Sequence, residues 1–246
     1  MKEQPARILV VDDDVDACRN LADILEDVGY EVDTAENGLF ALELIQEKPY
    51  DVALLDLKMP GMDGLTLYRE IRKLRADTVA MIITAYANEE TAKEALQAGA
   101  WQVMSKPVNV SQLLPLVDEA AGQPLIMIVD DDHALCENLW DLLRERGFRV
   151  GIAHSERETG QRLKERDFQV FLIDLKLQDC DGQRIFQLVR GSQPEARTVL
   201  ITGYRSETSE MVEKILHEGA DAVCYKPFDV DELLATVARL SHHTNN

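Results

Sequence analysis

Long apolar runs, grouped cysteines and an excess of basic side chains are what this sequence has least of. No stretch approaches the roughly 18 apolar residues of a membrane helix. The N-terminal MKEQPARILVV meets Asp12, Asp13 and Asp14 before a signal-peptide core is complete. A cytoplasmic protein without a membrane partner is therefore expected. The four cysteines, Cys18, Cys136, Cys180 and Cys224, lie far apart with no C-x-x-C, which argues against zinc or a disulfide framework and for free thiols. Lys and Arg number 26 against 45 Asp and Glu, a formal net charge of −19. A field of that sign repels phosphate backbones and anionic headgroups, so no direct nucleic-acid binding is expected. What remains, 246 residues with 46% apolar and 29% charged side chains, is a globular composition long enough for one large domain or two ordinary ones.

Self-similarity decides between those two. ILVVDDD at Ile8–Asp14 returns as IMIVDDD at Ile126–Asp132, a shift of 118 residues. LLDLKMPGMDG (Leu54–Gly64) returns as LIDLKLQDCDG (Leu172–Gly182), and IITAY (Ile82–Tyr86) as LITGY (Leu200–Tyr204), at the same shift. AGAWQVMSKPV (Ala98–Val108) matches EGADAVCYKPF (Glu218–Phe228) at a shift of 120. So long a period means a duplicated domain and not a solenoid. The candidate linker is Ala120-Ala121-Gly122-Gln123-Pro124, where Gly ends a helix and Pro bars its continuation. The boundary is placed at 122/123, giving domains 1–122 and 123–246 that carry net charges of −12 and −7.

Within each copy, short Val/Ile/Leu runs alternate with longer segments whose apolar residues recur every three or four positions. In copy one, strands are predicted near residues 6–11, 31–35, 51–55, 79–83 and 101–105, each followed by a helix. Because the strand runs are continuously apolar, the strands are covered on both faces. Each copy is then an α/β, doubly wound, five-stranded parallel sheet with helices on both sides. In such sheets, ligands bind at the carboxyl ends of the strands where the strand order reverses.

Those strand ends carry the polar residues. In copy one they are Asp12 and Asp13 after strand one, Asp56 after strand three, Thr84 after strand four and Lys106 after strand five. Copy two repeats them as Asp130, Asp131, Asp174, Thr202 and Lys226. Three carboxylates at one edge raise one another's pKa unless a cation sits among them, and a hard divalent ion such as Mg2+ meets that need with oxygen ligands. One carboxylate then serves as nucleophile toward a phosphoryl group, with Lys and Thr balancing its oxygens. By position, Asp56 and Asp174 are the nucleophiles.

These residues resemble the receiver (response regulator) family of two-component signalling, and the resemblance covers both copies. It implies two flavodoxin-like receiver domains that accept a phosphoryl group on Asp56 and Asp174. The donor would be a phosphohistidine on a sensor histidine kinase or histidine phosphotransfer protein. Phosphorylation would switch contacts with a downstream protein or a second copy in a homodimer, or relay the phosphate onward. The resemblance makes Asp13 and the acceptor direct Mg2+ ligands, Asp12 a ligand through water, and the backbone carbonyl of Lys58 a further ligand. Asp131, Asp174, Asp130 and Lys176 take those roles in copy two. Thr84 and Thr202 become switch hydroxyls, Lys106 and Lys226 phosphoryl clamps, and Lys106-Pro107 and Lys226-Pro227 cis bonds. Such a protein assists its own phosphorylation and dephosphorylation without being an enzyme toward a separate substrate.

Some positions depart from that pattern. The aromatic often found three residues before the Lys is Val103 or Val223, and Pro60-Gly61 is replaced by Gln178-Asp179 in copy two. Asp14 and Asp132 read as helix caps, and His133, His154 and His217 as surface or helix residues without ligand spacing. Pro115 falls inside the last helix of copy one, which starts at Asn109, and should bend it. Two other readings stand beside the receiver. Asp12-Asp13-Asp14 supplies the D-x-D of the haloacid dehalogenase phosphatase signature D-x-D-x-[TV], but Asp16 stands at its last position, copy two has His133 where copy one has Val15, and Asp56 is left unexplained. Alternatively, copy two is a scaffold that takes no phosphate. The repeats use almost the whole chain, so it works either through protein contacts and relay or as the input part of a longer protein.

Overall fold

The structure, a computed structural model, describes residues 5–85, 89–178, 181–203 and 209–241. Tyr86, Asp179, Cys180, Tyr204, His242 and His243 lie outside them. The chain divides into two compact units, Met1–Gln123 and Pro124–Asn246. No described helix is long and apolar enough to cross a membrane.

Domain 1 runs β1 (Arg7–Val11), α1 (Val15–Val28), β2 (Glu31–Ala35), α2 (Gly38–Glu47), β3 (Val52–Asp56), α3 (Gly64–Leu74), β4 (Val79–Thr84), α4 (Glu89–Gln97), β5 (Gln102–Ser105) and α5 (Val110–Gly122). Domain 2 runs β6 (Leu125–Val129), α6 (His133–Glu145), β7 (Arg149–Ala153), α7 (Glu156–Glu165), β8 (Val170–Asp174), α8 (Gly182–Ser192), β9 (Arg197–Thr202), α9 (Ser209–His217), β10 (Ala222–Tyr225) and α10 (Val230–Ser241). The βαβ rhythm read from the sequence is present in both, with strand bounds within a residue of those predicted for copy one.

Every strand pairs in parallel, in the orders β2-β1-β3-β4-β5 and β7-β6-β8-β9-β10. Successive strand side chains point to opposite faces, so β1 divides between two cores. Leu9 and Val11 join Ala41, Ile45, Leu67, Tyr68 and Ile71 from α2 and α3, with Ala95 from α4. Ile8 and Val10 join Cys18 and Leu25 from α1, and Leu113 and Val117 from α5. Fully burying each such Leu or Ile contributes about 1.5–3 kcal/mol. Domain 2 repeats the division, with Met127, Val129, Phe171 and Ile173 against Ile185, Phe186 and Val189 of α8. Both faces of each sheet are covered, as the unbroken apolar runs required.

Local chemistry fixes the helix ends next to the site. Asp14 accepts hydrogen bonds from the N–H groups of Asp16 and Ala17, and Asp132 from that of Leu135, which are the caps expected of them. At its far end α1 stops at Gly29, in the left-handed region at φ 108°, with the Tyr30 N–H bonded back to Leu25. Helix α5 is capped by Asn109 and spans Val110–Gly122 with Pro115 inside it, burying Leu113, Val117 and Ala120.

Candidate functional site

Strand order reverses between β1 and β3 in domain 1 and between β6 and β8 in domain 2. At that crevice the polypeptide leaves β1 and β6 through the paired acids and ends β3 and β8 on Asp56 and Asp174. Ligand atoms of Asp12, Asp13 and Asp56 lie within 4.8 Å of one another, as do those of Asp130, Asp131 and Asp174. Thr84 and Thr202 end β4 and β9, completely buried. Lys106 and Lys226 follow β5 and β10, their backbone N–H groups bonded to the carbonyls of Thr84 (2.9 Å) and Thr202 (2.7 Å). Both Lys-Pro bonds after them are cis. The sheet has thus gathered five residues per domain spread over nearly a hundred positions.

The ammonium groups close each cluster. Lys106 Nζ lies 2.6 Å from Asp12 Oδ2 and 3.3 Å from Asp56 Oδ1. Lys226 Nζ lies 2.8 Å from Asp130 Oδ2 and 3.1 Å from Asp174 Oδ2. The other oxygen of Asp12 accepts from the N–H of Asp14, and that of Asp130 from the N–H of Asp132. Burial raises the pKa of Asp56 and Asp174, Lys106 and Lys226 oppose the rise, and the neighbouring carboxylates add to it. Burial alone would lower Lys106 and Lys226, but the two carboxylates each one touches outweigh it and raise both. Three carboxylates against one ammonium leave a surplus of negative charge on oxygen donors. That set fits a hard divalent cation and would suit a soft one poorly.

Backbone approach explains the glycines that close the motif. A Cβ on Gly64 would stand 2.2 Å from the Asp56 carbonyl oxygen, and one on Gly182 2.4 Å from that of Asp174. Only glycine lets α3 and α8 begin so close behind the acceptors. Lys58 and Lys176 occupy the intervening loops, where the Lys176 N–H bonds to Asp174 Oδ1 at 3.3 Å. Asp63 and Asp181 cap the helices that follow.

His133 is an exposed residue at the start of α6, as expected of a surface or helix residue, and it meets His154: their rings are 3.8 Å apart, and His154 Nδ1 lies 2.8 Å from the carbonyl of Asp130. Cys136 Sγ donates to the same carbonyl at 3.3 Å, and burial, reinforced by Asp130, pushes its thiol up to about 12. Sequence spacing gave no warning of the His154 contact, because it joins the ends of β6 and β7. A second contact invisible in the sequence is the Gln178 N–H bonded to Asp131 Oδ2 at 3.1 Å. Asp14, required by the phosphatase signature, is instead engaged as a cap of α1.

Known proteins resemble both halves of the chain. The family model for the response regulator receiver domain matches residues 8–118 and again 126–238. A response regulator receiver protein of Anaeromyxobacter sp. (strain Fw109-5) is 37% identical over 235 residues, 95% of this chain and 94% of that protein. The transcriptional regulatory protein ZraR of Klebsiella oxytoca is 40% identical over 120 residues, 49% of this chain but 27% of that protein. Among solved structures, a response regulator receiver domain protein from Methanospirillum hungatei JF-1 is 37% identical, with a TM-score of 0.46, covering 48% of this chain and 94% of its own. With the family matched once in each sheet and a relative matched across nearly its full length, the chain belongs to the response regulator receiver family of two-component signalling and carries two receiver domains in tandem.

Proposed function

We propose that Asp56 and Asp174 each accept a phosphoryl group from a phosphohistidine of a sensor histidine kinase or histidine phosphotransfer protein, in the cytoplasm and with Mg2+. Each modified domain then alters its contacts with a downstream protein or a second copy of the chain, or passes the group on. The observation that carries this reading is the paired geometry: in both domains one strand-end carboxylate sits against a Lys ammonium and beside two further carboxylates.

A carboxylate oxygen of Asp56 or Asp174 attacks phosphorus, forming a P–O bond as the donor's P–N bond breaks. The imidazole leaves with the electron pair and takes a proton from water. Lys106 and Lys226 neutralise phosphoryl oxygens, and the Thr84 and Thr202 hydroxyls donate to them. Asp13 with Asp56 would hold Mg2+, with Asp12 through water and the Lys58 carbonyl. Asp131, Asp174, Asp130 and Lys176 would do so in domain 2. When bound, the ion supplies positive charge against the carboxylates and the incoming phosphoryl oxygens. The protein is an acceptor that assists its own modification and its reversal, not an enzyme acting on a separate substrate.

Intact-mass measurement after incubation with a small phosphodonor and Mg2+ tests this. Two additions are expected in the parent, one after Asp56→Asn or Asp174→Asn, and none with chelator. Labelling that survives the double substitution refutes the assignment, and a single addition in the parent makes the unlabelled domain a scaffold.

A further inference from the structure

We infer that the backbone N–H of Gln178 is a positioning donor for the metal-site carboxylate Asp131, through a hydrogen bond that domain 1 has no means of making. The inference rests on the divalent-ion reading proposed above. The bond runs from the Gln178 N–H to Asp131 Oδ2 at 3.1 Å. Asp131 is the outermost member of its cluster, half-buried where Asp130 and Asp174 are buried, so without a partner its side chain would sample several rotamers. An ion would then have to order it, at an entropic cost.

The loop that carries the donor is itself anchored. The Lys176 N–H bonds to Asp174 Oδ1, Lys176 pairs with Asp181 in an antiparallel bridge, and the Gly182 N–H returns to the Leu175 carbonyl. The donor is thus presented from a backbone fixed to the same acceptor residue, and the second oxygen of Asp131 stays available to a cation. In domain 1 the corresponding residue is Pro60, which has no N–H. Domain 1 stiffens this loop with a ring, whereas domain 2 ties it to a ligand. Because the donor belongs to the backbone, the Gln178 side chain is dispensable and the N–H is not.

The test uses the full chain with Asp13→Asn and Asp56→Asn, which leave domain 2 as the measured site, and calorimetric titration with MgCl2. Gln178→Ala should stay within about twofold of its parent, and Gln178→Pro should weaken binding about tenfold, the scale of losing a partner that orients a ligand. Equal affinity of Gln178→Pro and parent overturns the positioning role, and so does an equal loss in Gln178→Ala. Amide hydrogen exchange of the ion-free parent supplies a measurement independent of folding in the Pro variant. The Gln178 N–H should be protected, and Asp131→Ala should expose it while the β8 amides remain protected. A Gln178 amide that exchanges freely in the parent overturns the inference without reference to Mg2+. No Mg2+ uptake by a parent with a protected Gln178 amide overturns the metal reading instead, and the positioning role with it.

Discussion

Removing the ammonium from one cluster isolates the electrostatics on which the site depends. In Lys226→Met, Asp130 and Asp174 lose a cation 2.8 and 3.1 Å away, and their side chains are only 1% and 9% exposed. Stripping one partner from a buried ion pair costs about 3–5 kcal/mol. Lys226 is itself 26% exposed, so water already screens part of the interaction, and the expected loss falls to about 2–4 kcal/mol. Lys106→Met should cost less, about 1.5–3 kcal/mol, because Asp12 is more open at 11%. The chain has two tryptophans, Trp101 and Trp140, one in each domain. Urea unfolding of a Trp101→Phe background followed by fluorescence, in chelator, therefore reports domain 2. The pH dependence has a definite sign. Raised in the native state, Lys226 contributes stability that is complete below the ordinary lysine pKa of about 10.4 and lost as pH rises through its native value. Asp174 is also raised, so the native state favours its neutral form and stability falls as pH climbs from about 3.9 through the native value. The deficit of Lys226→Met should then be largest at neutral pH and shrink toward about pH 4, where a neutral carboxyl needs no cation. A neutral-pH deficit below about 0.5 kcal/mol, the scatter of ordinary surface substitutions, would count against a stabilising role for the Lys226 ammonium. A deficit unchanged down to about pH 4 would do the same.

Gly64→Ala and Gly182→Ala place a methyl 2.2 and 2.4 Å from backbone carbonyl oxygens, so each should destabilise its domain by about 2–3 kcal/mol in chemical unfolding. Pro115→Ala restores an N–H to the interior of α5 and should stabilise domain 1 by about 1–3 kcal/mol, seen as a higher unfolding midpoint. With a net charge of −19, the protein should show no binding to random duplex DNA at physiological salt by fluorescence anisotropy, and sub-micromolar binding would contradict the charge argument.

Fold and site differed in how far they could be read from sequence. Runs such as VALLD at Val52–Asp56 and VFLID at Val170–Asp174 are buried at every position. Their unbroken apolar character announces a doubly covered parallel strand, and the polar residue that ends each one marks the edge where chemistry collects. Duplication then gave each position an internal control, since Asp12, Asp56 and Lys106 recur as Asp130, Asp174 and Lys226. Contacts between strand ends were another matter. His154 reaches Asp130, and Gln178 reaches Asp131, across separations of 24 and 47 residues. No periodicity or motif encodes such a meeting, because it depends on which strands lie side by side. The Gln178 bond also uses a main-chain donor, so residue type showed only that Pro60 had been replaced. The closeness of Gly64 to Asp56 was hidden for the same reason: the sequence shows a glycine, and only the turn back to β3 shows why nothing larger fits.

One particular carboxylate in each acidic cluster is expected to take the phosphoryl group. Phosphorylated protein, trapped by borohydride reduction of the acyl phosphate and digested, should yield two modified peptides, with the modification at Asp56 in one and at Asp174 in the other. Modification at Asp12 or Asp130, the aspartates that follow β1 and β6, would contradict the account and favour a phosphatase-type nucleophile in their place.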